Sequence, residues 1–244
     1  MKKLKTITQV AALFSLLLFA ACSEDTVTPD GSGNVRMQAK LTENIVSAAL
    51  LDEKGANPLG SEVDSLTVSR VRILVTELKL HDQGGTDNDS SSVDDEVVKT
   101  GPIVIDATAD TVKVFLTEPI PAGTYDKVKF EFHRFNGSEV AQYTGDTVFG
   151  DFVQDDRWSV IVEGMSYEGG TGTPFTYRSD ITANLSLKFP ADLVVAEDET
   201  AVVIVEIDPV AIFKSGNGVL NPTDNSNESK IDNAIKSAIK ALKQ

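Results

Sequence analysis

Leu66–Leu80 reads LTVSRVRILVTELKL, and its periodicity decides the fold class. Val71, Ile73 and Val75 fall on one side of an extended chain, with Arg70, Arg72 and Thr76 mostly on the other. Successive side chains of a strand point to opposite faces, so this period of two marks a strand with one buried and one wet face. The run is long for a single strand, and a bend or bulge is expected near Ser69.

The same signature spreads outward. Upstream, Val35, Met37, Ala39 and Leu41 alternate with Arg36, Gln38 and Lys40. Downstream, Ile103–Ile105 and Val112, Val114 and Leu116 suggest a hairpin turning at Thr108-Ala109-Asp110. Glu118–Thr124 (EPIPAGT) reads as a connection that two prolines and a glycine keep out of any sheet interior. Tyr125–Phe135 sends Val128, Phe130 and Phe132 inward; Trp158, Val160 and Val162 form another inward set. Ile181, Ala183, Leu185, Leu187 and Phe189 define one face of a further strand, and Ala201–Ile207 (AVVIVEI) is apolar enough to be central. With no dividing linker, about nine or ten such strands predict an all-β fold, an immunoglobulin-like or transthyretin-like β-sandwich over residues 35–215.

Towards the C-terminus the period changes. In Ser229–Leu242, Ile231, Ile235, Ala238, Ile239 and Leu242 share one stripe while Asp232, Lys236 and Lys240 face away. This predicts an amphipathic helix within residues 216–244, packed on an edge or open end of the sandwich. Asn225 and Glu228 have the spacing of a capping box, and Lys240 and Lys243 sit where the helix dipole favours cations.

The N-terminus is of another kind. Lys2, Lys3 and Lys5 precede the apolar run Ala11–Ala20, which is followed by Ala21 and Cys22, the only cysteine in the chain. The stretch resembles a bacterial lipoprotein signal over residues 1–21, which implies cleavage before Cys22 and acylation of that residue. Ser23–Asn34 is acidic and rich in breakers, so residues 22–34 read as a tether. Its opening, Ser23-Glu24-Asp25, resembles the export tag of surface lipoproteins of the Bacteroidetes. These features imply an outer-membrane protein facing the periplasm or the cell surface, held by acyl chains in the lipid bilayer.

Charge bears on partners. The whole chain carries a net charge of -15. Without residues 1–21 it keeps 19 of its 22 basic residues against 37 acidic ones, or -18. A body this acidic repels nucleic acid and anionic headgroups, so nucleic acid is excluded as a partner. Glycans and envelope proteins are the partners this leaves.

Several pieces together, Leu41–Asn44, Ser69–Lys79, Pro121–Phe132 and Val202–Pro209, resemble the uncharacterised DUF4382-type domain of prokaryotic, Bacteroidetes-like lipoproteins. The resemblance covers residues 35–215. It implies a β-sandwich in the cell envelope with no established activity. Asp25-Thr26-Val27, Asp64-Ser65-Leu66, Asp110-Thr111-Val112 and Asp146-Thr147-Val148 resemble the three-residue O-glycosylation signal of the Bacteroidetes.

The supply of catalytic groups is thin. His81, at the head of the acidic stretch His81–Glu96, and His133, expected to face water, are the only histidines. No Gly-x-Ser-x-Gly elbow occurs, and Gly169–Thr173 lacks the lysine of a phosphate loop. No catalytic set emerges, and the chain reads as a non-enzyme. Zinc has no ligand set. Asp87, Asp89, Asp94 and Asp95, with Asp82 nearby, offer hard oxygens for weak calcium binding, against the plainer reading of a solvated loop.

Tyr167, Phe175 and Tyr177 flank the glycine loop and form a candidate carbohydrate platform, the alternative being cross-strand aromatic packing. Trp158 is expected in the core, and Tyr143 is a further candidate ring. The sequence thus describes a membrane-anchored, non-catalytic envelope lipoprotein that binds a carbohydrate or protein. A fimbrial or adhesin-type subunit and a carboxylate-based hydrolase are the alternatives. A basic cleavage site ahead of the first strand would mark the fimbrial case, and Arg36 is its one candidate.

Overall fold

The computed structural model describes residues 31–47, 63–82, 95–216 and 218–244. Strands dominate: β1 (Ser32–Leu41), β2 (Ile45–Ser47), β3 (Ser65–Asp82), β4 (Asp95–Thr108), β5 (Lys113–Pro121) and β6 (Gly123–Phe132) come first. A short helix α1 (Val140–Tyr143) then precedes β7 (Val160–Glu168), β8 (Thr171–Ser179), β9 (Ala183–Val195) and β10 (Thr200–Ile207). Last come α2 (Pro209–Phe213), β11 (Lys214–Ser215), β12 (Gly218–Val219), α3 (Glu228–Ser237) and β13 (Ile239–Lys243).

The long run quoted at the outset becomes β3, the axis of a seven-stranded antiparallel sheet. One edge of β3 takes β2 along Ser65–Thr67 and then β4 along Arg70–His81. Its other edge takes β7 along Ser65–Ile73 and then β6 along Glu77–Asp82. Beyond these, β8 pairs with β7 and β9 with β6. Seven strands therefore fill four columns, and β6 and β7 lie end to end in one of them. The register of β3 against β7 slips between Val68 and Arg70, leaving Ser69 as the extra residue where the sequence expects one. The Ser69 hydroxyl donates to the carbonyl of Glu163 across that bulge at 3.0 Å.

The second sheet has the order β13-β10-β1-β5. β1 and β10 run parallel, Val35 opposite Ala201 and Leu41 opposite Ile207; the other pairs are antiparallel. β10 is central, as its apolar composition implies, and β1 is central too. Val35, Met37 and Ala39 from this sheet and Val71, Ile73 and Val75 from the other, each at most 1% exposed, belong to one hydrophobic cluster. The mostly all-β class with a short C-terminal helix is therefore as read from the sequence.

Four local expectations change. Thr108-Ala109-Asp110 is not a hairpin turn: β4 pairs with β3 and β5 with β1, so the chain passes there from one sheet to the other. Glu118–Pro121 is strand rather than connection, because β5 is an edge and its prolines need no partner on the open side. Ser32–Asn34 belongs to β1, so the sheet begins inside the stretch read as tether. The C-terminal helix is shorter than its stripe predicts: α3 stops at Ser237, and Ile239–Lys243 pairs antiparallel with β10.

The stripe is buried all the same, with Ile231, Ile235, Ala238 and Ile239 at 0–5% exposure and Leu242 half-buried. The Asn225–Glu228 capping box is not formed; Asp224 caps the preceding 3₁₀ turn by accepting from the Ser226 amide at 2.8 Å. Lys240 lies on β13 opposite Glu206, and the Lys243 ammonium donates to the Asp192 carbonyl at 2.6 Å, so neither serves the helix dipole.

Candidate functional site

Between the collinear strands β6 and β7 the chain leaves the sheet for residues 133–159 and returns to the same edge of β3. The excursion begins with reciprocal bonds of capping-box form. The side-chain Oδ1 of Asn136 accepts from the Glu139 amide at 3.2 Å, and the Glu139 carboxylate accepts from the Asn136 backbone amide at 2.8 Å. One turn of α1 follows. A tight turn is then held by Asp146, whose Oδ1 accepts from the Val148 and Phe149 amides at 2.7 and 2.8 Å. The Phe149 and Val148 amides hold its carboxyl below the usual carboxylate range. A 3₁₀ turn at Gly150–Val153 leads to Asp155 and Arg157, two non-glycine residues at φ 50° and 64°. That left-handed backbone is costly for such residues and is fixed here by the Arg157 guanidinium, which donates to the Phe135 carbonyl at 3.0 Å.

Five aromatic rings lie on this segment, and they do not enter the main core. Phe135 and Phe152, with Leu74, Val153 and Ile161, form a separate buried cluster. Leu74 and Ile161 alternate with the core residues of β3 and β7, so the cluster sits on the outer face of the seven-stranded sheet. Phe135 stacks on Tyr143 with centroids 4.4 Å apart and planes at 25°. Phe149 meets Phe135 edge-on at 5.8 Å and Tyr143 at 5.0 Å. Tyr143, Phe149 and Trp158 are half-buried. Trp158 thus leaves the core expected for it, because β7 begins only at Val160 and the indole follows the excursion outward. Its Nε1 is buried without a hydrogen-bond partner among the described residues, as is Nε of Arg178 on β8.

Charge pins the excursion down. Arg72, 6% exposed, donates to Asp151 at 2.7 Å and to Glu163 at 3.2 Å, with its guanidinium 5.8 Å from the centre of the Phe152 ring. Beside it Arg70 grips Asp106 in a two-pronged pair at 2.8 and 3.0 Å, joined by Lys113 at 2.9 Å. Burial raises the Asp106 carboxyl, but the bonds from Arg70 and Lys113 outweigh it and hold it below the usual range. Asp106, Asp151 and Glu163 converge, yet each is held by a cation, which is the arrangement of a structural network rather than of a proton-transfer pair.

Further along the same outer face, a shallow groove of about 230 Å³ is lined by Glu77, Lys79, Lys129, Glu131, Asn184 and Ser186, with Phe130 and Leu185. The register sets Glu77, Glu131 and Asn184 in one row and Lys79, Lys129 and Ser186 in the next. Acid, base, amide and hydroxyl are thus interleaved over three strands, where the whole-chain charge suggested only acid.

The sites read from the sequence fall differently. Phe175 and Tyr177 are 5% and 6% exposed: the first meets Phe213 of α2 edge-on at 6.0 Å, and the second bonds Asp232 of α3. Tyr167 is half-buried, its ring beside Gly172 across the β7–β8 hairpin. These three rings are not brought together as a platform, because the C-terminal helices cover the face on which two of them point. Cys22 lies outside the described residues, as do Asp87, Asp89 and Asp94; Asp95 is the first residue of β4. Among the described residues no group of three or more His, Cys, Asp or Glu is placed to hold a metal.

His81 belongs to β3, 7% exposed, with Nδ1 3.1 Å from Asp126, and no hydroxyl of the described residues joins that pair. His133 is half-buried rather than facing water, Nδ1 2.8 Å from the Arg134 carbonyl. Arg36 is exposed in the middle of β1, so cleavage there would split the strand rather than release it. Of the glycosylation-like triplets, Thr111 and Thr147 are exposed, Ser65 is half-buried at the start of β3, and Thr26 lies outside the described residues.

Among the described residues no helix is long and apolar enough to cross a membrane. No protein-family model, no curated protein and no solved structure matches the chain. Sequence reasoning singled out Tyr143 and Trp158 but missed Phe135, Phe149 and Phe152. The available signal was five rings within Phe135–Trp158, a stretch without strand alternation.

Proposed function

We propose that the chain is a lipid-anchored envelope protein whose body is an immunoglobulin-like or transthyretin-like β-sandwich, of the kind its sequence resemblance implies. Its work is binding, with a glycan as ligand, rather than catalysis. The observation that carries this reading is the outer face of the seven-stranded sheet. There an interleaved groove of acid, base, amide and hydroxyl groups shares one surface with a knob of half-exposed rings. Hydrogen-bonding groups beside aromatic faces are what a polyhydroxylated ligand needs, since a sugar presents hydroxyls at its rim and C–H groups on its faces. Support for the anchor comes from the signal-like run ending at Cys22. Nine residues lie between Cys22 and the start of β1 at Ser32, ten chain steps with a reach of at most about 35 Å, so an anchored body stays close to its bilayer.

Two measurements test the reading. The mature protein should fractionate with membranes and incorporate labelled fatty acid, while Cys22→Ser should be soluble or remain an unprocessed precursor. An unlabelled, soluble unsubstituted protein would remove the anchor. On a glycan array the purified body should retain a defined family of structures, and silence across the array would remove the binding assignment.

A further inference from the structure

We infer that Tyr143, Phe149 and Trp158 on the excursion are the stacking surface for an uncharged oligosaccharide. This rests on the binding function proposed above and names its site and ligand class. The rings are not needed to close the main core, whose cluster is complete without them. Within the excursion, Phe135 is 1% exposed while its stacked partner Tyr143 is half-buried, so part of the Tyr143 ring meets solvent. Phe149 stands tilted at 58° to Tyr143, giving a corner of two rings rather than a flat patch.

Around the same cluster, Arg72 Nε by the Phe152 ring is a buried N–H donor without a partner among the described residues, and so are Trp158 Nε1 and Arg178 Nε. The last two belong to one neighbourhood, because Ser159, next to Trp158, donates its amide to Ser179, next to Arg178, at 2.8 Å. A buried donor left unpaired is costly, which marks this neighbourhood as the least satisfied part of the outer face among the described residues. Residues 133–159 hold five acids (Glu139, Asp146, Asp151, Asp155 and Asp156) against Arg134 and Arg157. That balance turns away uronic, sialic and sulfated chains and leaves neutral sugars. Exposed Gln142, Thr144 and Thr147 add polar groups at the rim.

Trp158 is the only tryptophan of the chain, so its emission reports on this site alone. The mature protein is titrated with neutral hexasaccharides of α- and β-linked glucose, mannose and galactose, and with hexalysine. A saturable change in emission with one neutral series, weakened at least about fivefold in both Tyr143→Ala and Phe149→Leu, supports the assignment. Phe149→Leu keeps apolar volume, so the pair remains informative if Tyr143→Ala lowers the melting temperature. A response to hexalysine but to no sugar overturns the ligand class. Retention on the glycan array without any Trp158 response, or with both variants unchanged, overturns this site while leaving the binding function in place.

Discussion

The Tyr177 hydroxyl on β8 donates to Asp232 on α3 at 2.7 Å, joining positions 55 residues apart. This bond clamps the C-terminal helix over the sheet at the place where Phe175 meets Phe213. Tyr177→Phe should cost about 1.5 kcal/mol at neutral pH, the low end of a bond to a charged group because Asp232 is half-buried and can rehydrate. Burial, then the bond to Asp232, pushes the Tyr177 hydroxyl far above the ordinary tyrosine range, and burial pushes Tyr125 up to about 12. An unfolded tyrosine ionises near pH 10, so both contributions are intact below about that pH. They are lost as pH rises, through about 12 for Tyr125 and beyond it for Tyr177. Urea unfolding from pH 8 to 12 should therefore fall less steeply above pH 10 in Tyr177→Phe than in the parent.

Ile235 and Leu242 separate helix burial from edge pairing. Ile235 is 1% exposed within the main cluster, and Ile235→Ala should lose about 2–5 kcal/mol. Leu242 is half-buried on an edge strand, and Leu242→Ala should lose under about 1.5 kcal/mol. Equal melting shifts would contradict the end of the helix at Ser237. Removing residues 239–244 should uncover the edge of β10 and produce concentration-dependent association, visible by light scattering.

Gly164 faces the bulge at Ser69. A Cβ there would overlap the Thr67 carbonyl oxygen and come within 2.9 Å of the Phe175 ring. Both neighbours are fixed, one by the ladder and the other by the core, so relief requires β3 and β7 to part. Gly164→Ala is expected to destabilise by about 1–3 kcal/mol or more. Gly101→Ala meets nothing within 4 Å but has φ +90°, so its penalty is purely conformational. Chemical denaturation of the two variants should rank Gly164 as the more sensitive.

Arg72 couples the excursion to the sheet. Asp151 is about half exposed (48%) and Glu163 a third (34%), so solvent screens the network and Arg72→Met should cost about 1–3 kcal/mol rather than a full buried-pair penalty. The sharper effect should be local: a red shift of Trp158 emission and faster amide exchange across residues 135–158. Unaltered exchange there would mean that the aromatic cluster holds the segment without help from the charge.

Alternation was enough to find β1, β3, β6, β9 and β10, because each buries one face in a shared core, and the length of the β3 run announced its bulge. The switch at Ala238 was not legible. Ile231, Ile235 and Ile239 are spaced by four, which suits a helix, yet Ile239 and Ala241 are spaced by two, which suits a strand. Only the open edge of β10 decides between them, and that edge is a tertiary fact. The aromatic site was half legible. Tyr143 and Trp158 stood out as residue types, but strand phase sends Trp158 inward, and only the end-to-end placement of β6 and β7 turns it outward. For Tyr177 the difficulty was reversed: a ring beside a glycine loop looks available until a helix 55 residues later lies over it.

The parallel pairing of β1 with β10 sets an order of events in time. Residues 34–41 find one partner in residues 200–207, and residues 239–243 pair with that same strand from its other side. Contacts of such separation in sequence form slowly, since a long loop must close before they contribute. A chain released N-terminus first therefore carries a half-finished second sheet until its last five strand residues have emerged. Until residues 200–207 have emerged, Val35, Met37, Ala39 and Leu41 form an apolar strand with β5 as its sole available neighbour in that sheet, and a holding chaperone would find its target there.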